Sequence, residues 1–213
     1  VPVSIKLVAP GKTDIRKVWI REREETFEFP LEARPLLVRF DEDNVLIKEI
    51  TFPKEREELL YQLKHDDVIG RMDAAAGLLA FKEDPQTAAG LIASVQTDPF
   101  WAVRKSSLEA LARLKAKNGP AVFKKASQDS DSQVRASALV ALGDLKDRTL
   151  LDFYKGFFQK DVSYRVQAEA LAAIGKAGDP AAVPFLKQAA AVPSYRDMVR
   201  RAAETALKLF EKK

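Results

Sequence analysis

The sequence contains no cysteine and a single histidine, His65. The first absence excludes disulfides and thiolate metal sites, and it leaves the redox compartment open. The second excludes a zinc site of the H-E-x-x-H kind, which needs two histidines on one helix face. Phosphate-cradling loops of the forms G-x-x-x-x-G-K-[ST] and G-x-G-x-x-G are also missing. No G-x-S-x-G motif accompanies His65 to supply a nucleophile. No apolar run reaches membrane-spanning length, and Val1-Pro2-Val3-Ser4-Ile5 is not a signal peptide. A first residue of Val rather than Met reads as a chain processed or cut from a longer one. The residues themselves therefore point to no catalytic side chain, no metal ligand, no cofactor and no membrane partner.

Charge is plentiful but nearly balanced, with 35 basic and 31 acidic residues in 213. Divided at Pro53, the N-terminal segment holds 9 basic and 10 acidic residues and the remainder 26 and 21. That mild excess is no dense basic stripe, so nucleic acid is not an expected partner. Pairs of carboxylates such as Glu24-Glu25, Glu57-Glu58 and Asp66-Asp67 read as solvated faces and caps.

Two periodicities divide the chain. Up to Phe52 apolar residues alternate: Val3, Ile5 and Leu7; Val18-Trp19-Ile20; Phe27, Phe29 and Leu31; Leu36 to Phe40; and Val45 to Ile50. Period two with β-branched and aromatic residues predicts five short strands, an antiparallel sandwich or a portion of such a fold. Pro10-Gly11-Lys12 and Asp41-Glu42-Asp43-Asn44 supply the turns. From Pro53 onward Ala and Leu recur at helical spacing. The predicted organisation is a β-sandwich over 1–53 and a helical domain over 54–213.

Within the helical region a single pattern returns: a branched or small residue, Arg, then an Ala/Leu-rich helix. Its starts at Gly70, Val103, Val134, Val166 and Val199 lie 33, 31, 32 and 33 residues apart. A near-constant period of this size predicts an α-solenoid of helical hairpins. Shorter partner helices are expected over 85–95, 120–126, 149–159 and 180–190, three of them opening on Pro. Gly143 and Gly175 fall where a helix would end in a left-handed residue. The pattern resembles HEAT repeats, with Gln167 standing where the other copies have Arg.

The aligned arginines Arg71, Arg104, Arg135 and Arg200 are expected to form a structural ladder with Asp98, Asp131 and Asp161 of the turns. Phe153, Tyr154, Phe157 and Phe158 form two adjacent stripes that cannot both face one narrow core, so one edge is a candidate contact patch. Phe100-Trp101 is expected to pack at a helix start. Lys124, Lys125, Lys155 and Lys187 fall on the shorter helices and are candidate contacts for a carboxylate on the concave face.

A second resemblance concerns the order of the modules. Arg34-Pro35-Leu36-Leu37-Val38 and the run from Asp41 to Leu46, followed by a helical array, resemble the end of the β-sandwich domain in zinc aminopeptidases of the aminopeptidase N and leukotriene-hydrolase type. That resemblance implies a C-terminal portion acting as scaffold and gate over an upstream catalytic domain of the same polypeptide, with zinc in the parent enzyme and peptides as substrates. The family's zinc-binding and peptide-binding motifs match no position here, so none of their roles transfers. A related transcription-initiation subunit would use the same architecture only for assembly. The remaining expectation is a HEAT scaffold or adaptor for a protein partner, without peptidase activity.

Overall fold

The computed structural model describes residues 1–211, which form two compact units, one over Val1–Phe81 and the other from Lys82 onward. The first unit carries the β-structure. Strands β1 (Pro2–Ala9), β2 (Lys12–Trp19) and β3 (Leu37–Phe40) make one antiparallel sheet in the order β2-β1-β3. Pro10 and Gly11 join β1 to β2 in a two-residue turn, with Ala9 opposite Lys12. Gly11 has φ +73°, the left-handed value that the second central residue of a type II turn requires. Val3, Ile5, Leu7 and Leu37 are buried. Helix α1 (Arg56–His65) contributes Leu59 and Leu63 to this unit's core, and α2 (Val68–Gly77) contributes Ala74 and Ala75.

The expected sandwich is therefore replaced by a three-stranded sheet. Phe27, Phe29 and Leu31 are not in a strand, and Phe27 and Leu31 face solvent. Pro30 interrupts that run and can give no amide to a ladder. Residues 45–50 fail for a different reason. The Asp41 carboxylate accepts from the amides of Val45 and Leu46 at 3.1 and 3.0 Å, so those groups are taken before any strand can use them. Asp41 and Asn44 both have positive φ, which bends the chain away. The outer edge of β3 is closed by side chains. Glu58 accepts from the Val38 amide at 2.9 Å and Lys54 donates to the Val38 carbonyl at 2.6 Å. An edge so occupied cannot recruit a further strand.

The second unit is a stack of four helix pairs: α3 (Pro85–Thr97) with α4 (Trp101–Leu114), α5 (Gly119–Ala126) with α6 (Ser132–Gly143), α7 (Leu151–Lys160) with α8 (Tyr164–Ala177), and α9 (Val183–Ala189) with α10 (Met198–Glu211). Asp84 and Asp131 cap α3 and α6 by accepting backbone amides, and prolines occupy the first turn of α3, α5 and α9. The longer second helices α4, α6, α8 and α10 pack on one another in sequence, while each shorter first helix packs mainly on its own partner.

Small residues set that spacing. A β-carbon on Gly143 would lie 3.0 Å from Ala173 Cα, and one on Gly175 would lie 2.8 Å from Ala206 Cα. These glycines are thus contact points between neighbouring helices. The left-handed residues that turn the chain are Lys115, Lys146 and Gly178 instead. Val103, Val134, Val166 and Val199 are fully buried, as are Leu111, Leu142 and Ile174 eight residues later. At the positions where α6 has Leu139 and Gly143 and α8 has Leu171 and Gly175, α10 carries exposed Glu204 and Lys208. Glu204 and Lys208 make that part of α10 polar.

Candidate functional site

The arginines stand in the first turns of the second helices and reach back to the preceding turns. Arg104 donates to both carboxylate oxygens of Asp129 at 2.7 Å, and to the carbonyls of Asp98 and Pro99 in its own turn. Arg135 repeats the arrangement one pair later, with Asp161 at 2.7 and 2.9 Å and the carbonyls of Asp129 and Ser130. Each guanidinium therefore clamps its own turn and reaches the next. Asp131 caps α6 and Asp98 accepts from the Phe100 amide, while the carboxylates paired with Arg104 and Arg135 are Asp129 and Asp161. Gln167 keeps only the carbonyl contact, to Asp161 at 2.7 Å. Arg200 is exposed and pairs with Asp197 of its own turn. In the first unit, Arg71 donates to the Asp66 carbonyl at 2.7 Å.

These pairs shift the carboxylates. Burial acts to raise the Asp161 carboxyl, but the Arg135 guanidinium and the Ser163 amide outweigh it and hold it below its ordinary value. Asp129 follows the same balance with Arg104. A carboxylate whose folded pKa is depressed stabilises the fold above its unfolded pKa, about 3.9, and loses that contribution as pH falls through the folded value. The thermal midpoint of the wild type should therefore fall more steeply below about pH 4 than that of Asp161→Asn. Parallel curves for the two proteins would contradict the assignment.

A second charged cluster lies inside the first unit. Asp66 is buried and pairs with Lys6 at 3.3 Å and Arg39 at 3.2 Å, while Arg39 also reaches Asp67 at 2.6 Å and Lys6 reaches Glu42 at 2.8 Å. Asp66 is thus no solvated cap, whereas Asp67 does cap α2 through the Gly70 amide. A β-carbon on Gly70 would lie 1.9 Å from the Asp66 carboxylate, so glycine is needed for the cluster to close. Glu42, Asp66 and Asp67 converge as metal ligands would. All three are already paired with Lys6 or Arg39, which marks a structural ion-pair network. His65 stands exposed with its ring against Tyr61.

A depression also opens on the first helices of the stack. A groove of about 540 Å³ is lined by Phe153, Gly156 and Phe157 of α7, with Gln128, Arg135, Asp152, Lys160 and Asp161 around it. The aromatic stripes of α7 separate here. Tyr154 is fully buried and Phe158 packs edge-on against Phe185 of α9 at 5.5 Å. Phe153 and Phe157 stay half-buried, 5.0 Å apart, and face the groove. Nothing lies within 4 Å of a β-carbon built on Gly156, so this glycine leaves the groove floor open.

Of the candidate lysines, Lys124 and Lys125 lie exposed on α5 and Lys187 on α9. Lys155 is half-buried, 3.3 Å from Asp152 and 5.7 Å over the Phe185 ring. The Trp101 ring is half-buried against Phe100 at 5.8 Å. Burial pushes the Tyr154 phenol upward, and its hydroxyl has no hydrogen-bond partner among the described residues. Tyr154→Phe should consequently leave stability unchanged or raise it by up to about 1 kcal/mol in denaturant unfolding.

The comparisons with known proteins bear on this fold. The family of HEAT repeats matches residues 119–208, the span from α5 to α10. A solved complex of CpcE and CpcF of phycocyanin lyase from a Nostoc species matches 80% of this chain and 70% of its own, with a TM-score of 0.56 and 22% identity. The second unit is a HEAT-like stack. Human deoxyhypusine hydroxylase, solved in complex with glycerol, matches 74% of each chain at 16% identity and a TM-score of 0.42. An engineered protein matches 74% of this chain and 79% of its own at 18% identity and a TM-score of 0.44. Both scores are too low to add to the argument. No curated protein matches.

The resemblance to zinc aminopeptidases is overturned. The similarity found is to HEAT repeats and to a phycocyanin lyase complex, not to a peptidase. The residues that suggested a sandwich end form one short strand and an Asp41-centred turn. The gate over a catalytic cavity and the zinc of a parent enzyme lose their ground with it.

Proposed function

We propose that this chain is a protein-binding scaffold that holds a partner on the first-helix layer of its HEAT-like stack. The observation that carries the reading is the groove on α7, where Phe153 and Phe157 remain half-buried beside the open position of Gly156. Aromatic side chains in a shaped depression are the usual anchors of protein recognition. The complex formed by CpcE and CpcF lends support, because it joins a chain of similar fold to another subunit. The opposite face is less suited to binding. Its groove over α4, α6 and α8 is smaller, about 300 Å³, and two of its carboxylates are held by lysines. Lys105 pairs with Glu109 and Lys176 with Asp144.

Gly156→Trp fills the groove without meeting any neighbour at its β-carbon. Tagged chain purified from its source cells should retain a stoichiometric partner as wild type and as Glu169→Lys on the opposite face, and lose it as Gly156→Trp. Retention by Gly156→Trp with loss by Glu169→Lys would place the interface on the second helices and reverse the assignment.

A further inference from the structure

We infer that the partner segment docked in the α7 groove is acidic and carries a bulky apolar side chain, an inference that rests on the groove being the binding site. Charge on the first-helix layer is one-sided. Helices α5, α7 and α9 together hold Lys124, Lys125, Lys155, Lys160 and Lys187, and Asp152 is their one carboxylate. Asp152 is occupied by Lys155, and the Asp161 carboxylate at the groove is occupied by Arg135. Lys124, Lys125, Lys160 and Lys187 have no carboxylate within ion-pair distance among the described residues.

Lys160 lines the groove directly. Lys124 and Lys125 lie in the last turn of α5, shortly before Gln128, another lining residue. The groove is thus an aromatic floor with Lys160, which has no ion-pair partner among the described residues, at its edge and further lysines on the same helix layer. An apolar side chain on the partner satisfies the floor, and flanking carboxylates satisfy the lysines. A basic segment would be repelled by the same lysines. A nucleic acid would need many more cations along its path than these few supply.

The test uses the full chain and the fluorescein-labelled peptide EEDFEDLEEE in fluorescence anisotropy. Saturable binding is expected, weakening about tenfold for Lys160→Glu combined with Lys125→Glu, and again when salt rises from 50 to about 300 mM, because surface charges are screened. The peptide's Phe→Ala version should also bind about tenfold more weakly, and Gly156→Trp should abolish binding. If KKKFKKLKKK or a neutral AASFASLASA peptide binds as tightly and remains sensitive to Gly156→Trp, the acidic inference fails while the groove stands. If the acidic peptide binds Gly156→Trp as well as wild type, the groove itself fails. A 20-nucleotide single strand binding more tightly than the peptide would replace the protein partner with a nucleic acid. Circular dichroism of Gly156→Trp and the lysine variants separates loss of binding from loss of fold.

Discussion

Arg135→Ala is expected to lower the stability of the stack by about 2–4 kcal/mol, somewhat under the range for breaking a fully desolvated pair because the site keeps some contact with water. Arg135 is 15% exposed and its partner Asp161 7%. The truncation strands the Asp161 carboxylate and frees two turn carbonyls that the guanidinium had held. It also removes a tie between two helix pairs, so denaturant unfolding should become less cooperative as well as earlier. Arg135→Gln should recover only a fraction of the loss, since an amide can reach the carbonyl but cannot neutralise Asp161.

The chain already contains that partial version at Gln167, and its context explains why. Counting back five residues from Val134 and Val166 gives Asp129 and Asp161, the two acceptors. The same count from Val199 gives Ser194, whose hydroxyl accepts from the Val199 amide at 3.0 Å instead. An Arg at 167 would meet no carboxylate at 194. The missing cation and the missing anion therefore go together. Gln167→Arg alone should gain nothing, whereas Gln167→Arg with Ser194→Asp should show a favourable coupling of about 1–2 kcal/mol in a double-mutant cycle.

Gly175→Val should be more damaging still, with a loss of about 3 kcal/mol or more. The added β-carbon would lie 2.8 Å from the backbone of Ala206, which cannot swing aside as a long side chain could. Relief requires α8 and α10 to move apart, and that opens the packing around Val199 and Ala203, both fully buried. The same substitution at Gly156 meets open space and should be neutral or slightly stabilising, because glycine is a poor helix residue. Thermal denaturation of the two variants in parallel separates a contact effect from helix propensity. Equal midpoints would show that α8 and α10 do not approach through Gly175.

The helical stack was legible because its constraint is periodic. Buried Val and Leu recur every 31 to 33 residues, and four packed pairs satisfy the same spacing. The glycines were misread for a local reason. Gly143 and Gly175 sit near helix ends, where a left-handed cap is the usual use of glycine, but their small size is used between helices that are distant in sequence. The β-region misled because alternation alone does not secure a strand. Val45 to Ile50 alternates well enough, yet Asp41 captures its first two amides. The buried cluster around Asp66 has one signal in the sequence. In Leu37-Val38-Arg39-Phe40 the inward positions are those of Leu37 and Arg39, so an arginine on the core face demanded a buried acid. The groove on α7 lay half in view, since two aromatic stripes on one short helix required an exposed edge. Which edge remained open depended on Phe185 covering Phe158, a contact between helix pairs.

The most direct test of the scaffold reading is photo-crosslinking in the source cells, with benzoylphenylalanine placed at position 156 in one version of the chain and at position 169 in another. The account predicts a discrete protein adduct from position 156, mapping to an acidic segment of the partner, and little or none from position 169. A discrete adduct from position 169 with none from 156 would contradict it.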